Sequence, residues 1–310
     1  MSSLLVIGGT GFFGKSILDA FKNKRLYRYG IDNVICLARN TEQLKKNYND
    51  LLVKGVELIQ SDISTIKVIP QADFIIHAAS STNAQNYLKD SSREQANIEA
   101  SVTNFCNLAP SFLTKSKIVY CSSGAVYGKQ PVGKDFLYEH DQFTDASDLA
   151  YEKQSYALGK RFAEDQFIKL GNEGFHVAIA RCFAFFGKYL PRDQHFAYGN
   201  FIGEAEKGNI IQVNAKNEVI RSYMSADLMV DSLMVILKAS SPACEIFNVG
   251  SDIPISVHNL AKAIAEKFGV SYQVSNDIDH QKVDRYVPNC DKLKSLLIQE
   301  FGTLPLFDFL

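Results

Sequence analysis

The feature that most constrains this chain is a glycine triplet near its start. Gly8, Gly11 and Gly14 form Gly-x-x-Gly-x-x-Gly directly after the apolar run at residues 4–7 and at the head of a segment, 13–21, whose apolar residues recur at helical spacing. Strand, sharp turn and helix are the predicted local structure. In such a unit one glycine makes the turn, one lets backbone approach a pyrophosphate, and one lets the helix pack closely on the strand; the helix start supplies N–H groups and a positive dipole. A dinucleotide is therefore expected here, cradled by Gly8, Thr10, Gly11, Phe12, Phe13 and Gly14.

The same unit recurs. Residues 34–38, 56–60, 74–77, 118–121 and 177–180 are further apolar runs, separated by stretches long enough for crossover helices. Buried strands alternating with helices predict an α/β fold of the doubly wound, Rossmann type, a parallel sheet covered on both faces. Two helices are expected over 92–108 and 155–170, the second with Leu158, Phe162, Phe167 and Leu170 toward a core. After Arg181 an aromatic-rich stretch, 183–201, replaces the alternation and is long enough to suggest a functional loop. Residues 1–181 with 218–249 are thus expected to form the dinucleotide-binding domain, and 182–217 with 250–310 a smaller carboxyl-terminal α/β substrate-binding lobe.

Charge narrows the classes. Thirty-three basic against 34 acidic residues leave a net charge of -1, so no field strong enough to attract nucleic acid or a membrane surface is expected. No apolar run of membrane-spanning length occurs, and Met1-Ser2-Ser3 has no basic leader; a cytoplasmic location is expected. The six cysteines show neither Cys-x-x-Cys nor Cys/His ligand spacing, which predicts buried free thiols and no metal.

The second strand ends Cys36-Leu37-Ala38-Arg39-Asn40. Ala38 stands where an acid would take the ribose 2′-hydroxyl, and the guanidinium of Arg39 suits a 2′-phosphate, so NADP(H) is favoured over NAD(H). Asp62 and Ile63, after the third strand, are placed to meet the adenine amino group and face, although a helix N-cap is a rival role for Asp62. Ala78, Ala79 and Ser80, after the fourth, are small where backbone must pass near the cofactor.

Tyr156 and Lys160 are spaced i, i+4 on one predicted helix, so they share a face. A nearby ammonium favours the phenolate and draws the phenol's pKa down, and Lys160 would also hold the nicotinamide ribose. Tyr120-Cys121-Ser122-Ser123-Gly124 places hydroxyls at the carboxyl end of the fifth strand, where open α/β sheets bind ligands.

Taken in order, the glycine motif, Asp62-Ile63, His77-Ala78-Ala79, Asn97, Ser122-Ser123-Gly124-Ala125-Val126-Tyr127-Gly128, Tyr156/Lys160, Arg221 to Asp227 and Phe247-Asn248-Val249-Gly250 resemble the extended short-chain dehydrogenase/reductase family, particularly its nucleotide-sugar epimerases, dehydratases and reductases. The resemblance implies that Ser123 is a catalytic hydroxyl beside Tyr156 and Lys160, that Asn97 supports the site, and that Asn200 and Arg221 contact the diphosphate of a nucleotide sugar. Arg285 is a further guanidinium candidate, with a surface pair to Asp284 or Asp279 as its rival. His195 is a candidate acid/base or nucleotide contact, with a loop hydrogen-bonding role as the alternative.

Two departures matter. The family's 4,6-dehydratases carry an Asp-Glu pair after the hydroxyl, whereas here stand Gly124 and Ala125, neither able to move a proton. Ala184 and Lys188 replace the family's usual asparagine and proline. The expectation is a reductase of a 4-keto, 6-deoxy nucleotide-diphosphate sugar, with a nucleotide-sugar 4-epimerase as the alternative and a catalytically silent dinucleotide sensor or scaffold as a third reading. By resemblance, the helices at 92–108 and 155–170 would pair two copies into a homodimer.

Overall fold

The computed structural model describes residues 2–80, 84–194, 196–274 and 278–305. Strands and helices alternate from the start: β1 (Ser2–Ile7), α1 (Phe12–Lys22), β2 (Ile31–Ala38), α2 (Glu42–Asn47), β3 (Val56–Gln60), β4 (Phe74–His77), α3 (Ala84–Phe112), β5 (Lys117–Ser123), α4 (Tyr151–Asn172) and β6 (His176–Cys182). The chain then leaves through β7 (Phe185–Phe186), α5 (Ala197–Glu206), β8 (Ile211–Val213), β9 (Asn217–Arg221), β10 (Met224–Ser225) and α6 (Ala226–Ala239), and returns at β11 (Glu245–Val249). It ends with β12 (Ile255–Ser256), α7 (Val257–Phe268), β13 (Tyr272–Val274), β14 (Asp279–Tyr286) and α8 (Asp291–Phe301).

Seven strands form one sheet in the order β11-β6-β5-β4-β1-β2-β3, and every pairing within it is parallel. Successive side chains of a strand point to opposite faces, and β1 divides its apolar residues accordingly: Leu4 and Val6 join a core with Ile17 and Phe21 of α1 and Met229 and Leu233 of α6, while Leu5 and Ile7 join Phe105 of α3 and Phe167 of α4. Each such side chain, fully buried, contributes about 1.5–3 kcal/mol. All six cysteines are free, Cys106 half-buried and the others buried.

Three expectations change. Leu158, expected in the core, is 41% exposed, because α4 turns Ala157, Lys160, Ala163 and Phe167 to the sheet instead. The stretch 183–201 is not loop throughout but contains β7 and the first half of α5. The helix expected from 92 begins upstream at Ala84 and is interrupted by non-helical backbone at Asp90.

Outside the main sheet, β12-β9-β14 and β13-β8 make two small sheets, which α5 and α7 cover around a third core containing Tyr198, Phe201, Leu260 and Ile264. Residues 218–221 therefore pair in the lobe, and the chain rejoins the main sheet only at β11. In turn α8 packs back on α6 and β11. Among the described residues no helix is long and apolar enough to cross a membrane.

Candidate functional site

The order of the sheet reverses direction between β1 and β4, and the glycine turn lies at that point. Gly8 adopts φ +89°, and a Cβ there would sit 2.8 Å from the backbone N and Cα of Ala79. Any larger residue is excluded both by conformation and by the close pass of the β4 carboxyl end. At Gly14 a Cβ would run into the backbone of Gly9, so the helix start packs directly on the turn that follows β1. Helix α1 starts after Gly11 with no side-chain cap and no acid in its first turn, so its leading N–H groups and positive end face outward without a counter-charge. This cradle fits a pyrophosphate, and a nicotinamide dinucleotide bound there would be held by these N–H groups.

The residues around the cradle divide. Thr10 is half-buried in the turn. Phe12 and Phe13 pack edge-on at 5.8 Å, and Phe13 meets Phe185 at 5.5 Å, so both rings join sheet to lobe. Arg39 is exposed at the end of β2, beyond buried Ala38. Asp62 caps a turn rather than a helix: Ser64 donates to its Oδ1 through N–H at 2.9 Å and Oγ at 2.8 Å. Ile63 is 5% exposed and belongs mainly to the core. The Ala78 N–H donates to the carbonyl of Ile7 at 2.9 Å, holding β4 against the turn.

Tyr156, Ser123 and Lys160 converge. The hydroxyls of Ser123 and Ser80 lie close enough to the Tyr156 phenol to favour its ionised form. Ser123 ends β5 and accepts from the Ala125 N–H at 3.2 Å. Lys160 is 2% exposed and donates to the carbonyl of Cys121 at 2.8 Å and to the hydroxyl of Tyr120 at 3.2 Å, with its Nζ 5.8 Å from the centre of the Tyr156 ring. Burial pulls Lys160 down to about 8, against the charges of Cys121, Cys182 and Glu164. Tyr156 departs from the expectation that its phenol is drawn down: burial pushes it up to about 12, opposed chiefly by Ser123. The ammonium is turned toward Cys121 and Tyr120 instead.

Below this trio lies a buried ion pair. Arg181 on β6 donates to Glu164 on α4 at 2.7 Å, Ser122 Oγ donates to the same carboxylate at 2.6 Å, and Arg181 Nη1 donates to the carbonyl of Glu139 at 3.0 Å. Glu164 lies one turn after Lys160, so the pair ties the helix carrying Tyr156 and Lys160 to the strands beneath.

On the lobe side, Arg221 donates to Asp284 Oδ2 at 2.8 Å and lies 5.9 Å from the centre of the Tyr286 ring. Burial would raise Asp284, but Arg221, with Lys153 and Lys129 behind it, holds its carboxyl below the usual range. Arg285 points away from this cluster: it donates to the carbonyl of Asp135 at 2.8 Å and pairs with that carboxylate at 3.9 Å, not with Asp284 or Asp279. Asn97 is exposed on α3 and Asn200 half-buried on α5, and neither side chain makes a hydrogen bond among the described residues. His195 lies outside the described residues.

Residues 4–250 match the model of the NAD dependent epimerase/dehydratase family. The chain belongs to that family. Among similar proteins, UDP-glucuronic acid decarboxylase 1 of Xenopus tropicalis is 25% identical over 95% of this chain and 67% of its own length. Among solved structures, the dTDP-glucose 4,6-dehydratase DesIV of Streptomyces venezuelae, with NAD bound, superposes with a TM-score of 0.79 at 18% identity, covering 99% of this chain and 93% of that one. The Thermotoga maritima UDP-glucose 4-epimerase, with UDP-glucose, gives 0.75 at 17% identity, covering 94% and 91%. This chain is thus an NAD-dependent epimerase/dehydratase family enzyme of the extended short-chain dehydrogenase/reductase type, in a nucleotide-sugar group.

Several residues of the site escaped the reading of the family's motifs. The Tyr286 hydroxyl lies against Gly124, next to Ser123. Tyr87 meets Tyr156 edge-on at 5.7 Å. Tyr120 takes a hydrogen bond from Lys160, and Glu164 anchors α4. For Tyr286 a signal existed: in a strand alternate residues share a face, so Asp284 and Tyr286 lie together, opposite Arg285.

Proposed function

We propose that this enzyme is an NADP(H)-dependent reductase acting at C4 of a 4-keto nucleotide-diphosphate sugar, the 6-deoxy form being the favoured substrate. The observation that carries this reading is the convergence of Tyr156, Ser123 and buried Lys160, next to positions 124 and 125 that hold no group able to move a proton. Proton transfer at one oxygen is supported there; elimination of water by an adjacent Asp-Glu pair is not.

A bound nicotinamide supplies the hydride. Tyr156 protonates the oxygen of the carbonyl, Ser123 polarises it, and Lys160 would hold the nicotinamide ribose. Arg221, with Asn200, would hold the diphosphate, and the exposed Arg39 beside Ala38 supports the choice of a 2′-phosphorylated cofactor. Residues 182–221 and 250–310 are proposed as the substrate-binding part, β9 moving there from the boundary expected at 217, and the rest as the dinucleotide-binding part. A homodimer through α3 and α4 is also proposed, with Leu88, Tyr151 and Leu158 exposed on those helices as its support; sedimentation at a monomeric mass overturns it.

A second reading, a nucleotide-sugar 4-epimerase with resident NAD, is favoured by the epimerases among the similar proteins. One experiment separates them. The purified enzyme is assayed with nucleotide-diphosphate sugars and their 4-keto-6-deoxy forms, with NADPH and NADH. Oxidation of NADPH by a 4-keto sugar, impaired by Arg39→Ala with NADPH but not with NADH, is the expected result. Protein that retains NAD and interconverts sugars without added cofactor overturns the reductase reading.

A further inference from the structure

Lys160 is a buried ammonium with no carboxylate of its own. Among the described residues its Nζ donates only to the Cys121 carbonyl at 2.8 Å and the Tyr120 hydroxyl at 3.2 Å, because Glu164, one turn further along α4, is committed to Arg181 and Ser122. A buried charge held by neutral groups depends on each of them. An ammonium has three N–H donors, so one is left for a bound cofactor.

The pleat of β5 brings Tyr120 to this place. Alternate residues of a strand share a face, and this face presents Tyr120 to Lys160 and Ser122 to Glu164, which lie one turn apart on α4. The Tyr120 ring stacks on Phe167 at 4.4 Å, meets His77 edge-on at 5.7 Å, and is closed to solvent. A phenylalanine would fill the same space. What the hydroxyl adds is its bond to Lys160, its one hydrogen bond among the described residues. The ring face also supports the charge, since Nζ lies 4.8 Å from its centre.

We propose that Tyr120 is a positioning residue: its phenol, together with the Cys121 carbonyl, fixes the Lys160 side chain beside Tyr156 and keeps it charged there. The inference rests on the proposed role of Lys160 in holding the nicotinamide ribose. Charge-assisted hydrogen bonds are about twice as strong as neutral ones, so the phenol gives more to the ammonium than to the free amine. The other titratable groups facing Nζ are the thiols of Cys121 and Cys182, the Glu164 carboxylate, the His77 imidazole and the Tyr156 phenol, and a change at position 120 leaves all of them in place.

The test uses Tyr120→Phe, which keeps the ring on Phe167 and removes one oxygen, with Lys160→Met as the reference. Dissociation constants for NADPH and NADH are read by nicotinamide fluorescence from neutral to alkaline pH, with no sugar present. In the wild type, binding is expected to weaken as the lysine loses its charge, a dependence that Lys160→Met abolishes. In Tyr120→Phe the midpoint of that loss is expected to move down by about one pH unit. On whichever nucleotide sugar the wild type turns over, the alkaline limb of kcat should move by the same amount. The double variant should bind cofactor no worse than Lys160→Met alone, since the phenol acts through the lysine. An unmoved midpoint overturns the inference even if Tyr120→Phe is less stable in urea, and so does a double variant weaker than Lys160→Met. A wild type that turns over no nucleotide sugar defeats the proposed function while leaving cofactor binding to judge Tyr120.

Discussion

The sheet and the lobe that rests on its carboxyl ends are held by different forces. Across the sheet, apolar side chains fill both faces, and the one ion pair we place beneath the site, Arg181–Glu164, has side chains 5% and 3% exposed and every strong donor directed at a partner. The lobe joins short strands through aromatic stacking and pairs that water reaches: Arg221–Asp284 at 19% and 50%, Arg285–Asp135 at 19% and 81%, His280–Glu218 at 74% and 21%. Tyr156, Ser123 and Lys160 stand on the first kind of support, Arg221 and Tyr286 on the second. On the proposed reading, chemistry would sit on the part that tolerates little adjustment and recognition on the part that can re-pair its charges.

The contrast can be broken from either side. Tyr156→Phe removes the proposed proton donor and should cost about 10²–10⁴ in turnover while leaving thermal unfolding unchanged; steady-state rates decide it. Glu164→Ala leaves Arg181 buried and unpaired and should cost about 3–5 kcal/mol in urea unfolding.

A pH profile sharpens the sheet side. Lys160 carries its charge below about 8 and loses it above, so turnover should fall on the alkaline side with a midpoint near 8. Its folded value lies below the ordinary lysine value of 10.5, so the unfolded chain holds the extra proton between the two; burial of the ammonium costs stability at neutral pH, and that cost lifts as pH rises through this window.

Two lobe substitutions should do less. Asp284→Asn frees Arg221 and should tighten a nucleotide-diphosphate sugar about fivefold in calorimetry, the scale of a partly exposed pair at ~1 kcal/mol. Arg285→Ala should cost under about 1 kcal/mol of stability. An effect as large as that of Glu164→Ala would erase the distinction.

The same contrast explains what was legible beforehand. Strands buried on both faces read as continuous apolar runs, and the Gly8 turn and the Tyr156/Lys160 spacing are local, so neighbours along the chain already carry the geometry. Leu158 went astray because α4 places Ala157 rather than its neighbour on the sheet, a helical phase that spacing of apolar residues alone did not resolve. The partners of Arg285 and the arrival of Tyr286 at Ser123 depend on the register of β14 against β9 and on a loop at Asp135, none of which is written near those residues. Arg39, Asp62 and Gly8 could be placed from strand ends; the tyrosines around Ser123 could not.

His77, the last residue of β4, packs among the rings of Phe105, Tyr120 and Phe167 with both nitrogens buried and without a hydrogen-bond partner among the described residues. Burial, aided by the charge of Lys160, pulls it down to about 3. In the working range it is a neutral wedge of ring carbon and nitrogen, silent to acid and base. Any inflection that kinetics reveal near the ordinary imidazole value must therefore be credited to another group, and replacing this ring by an aromatic hydrocarbon should leave the curve where it was.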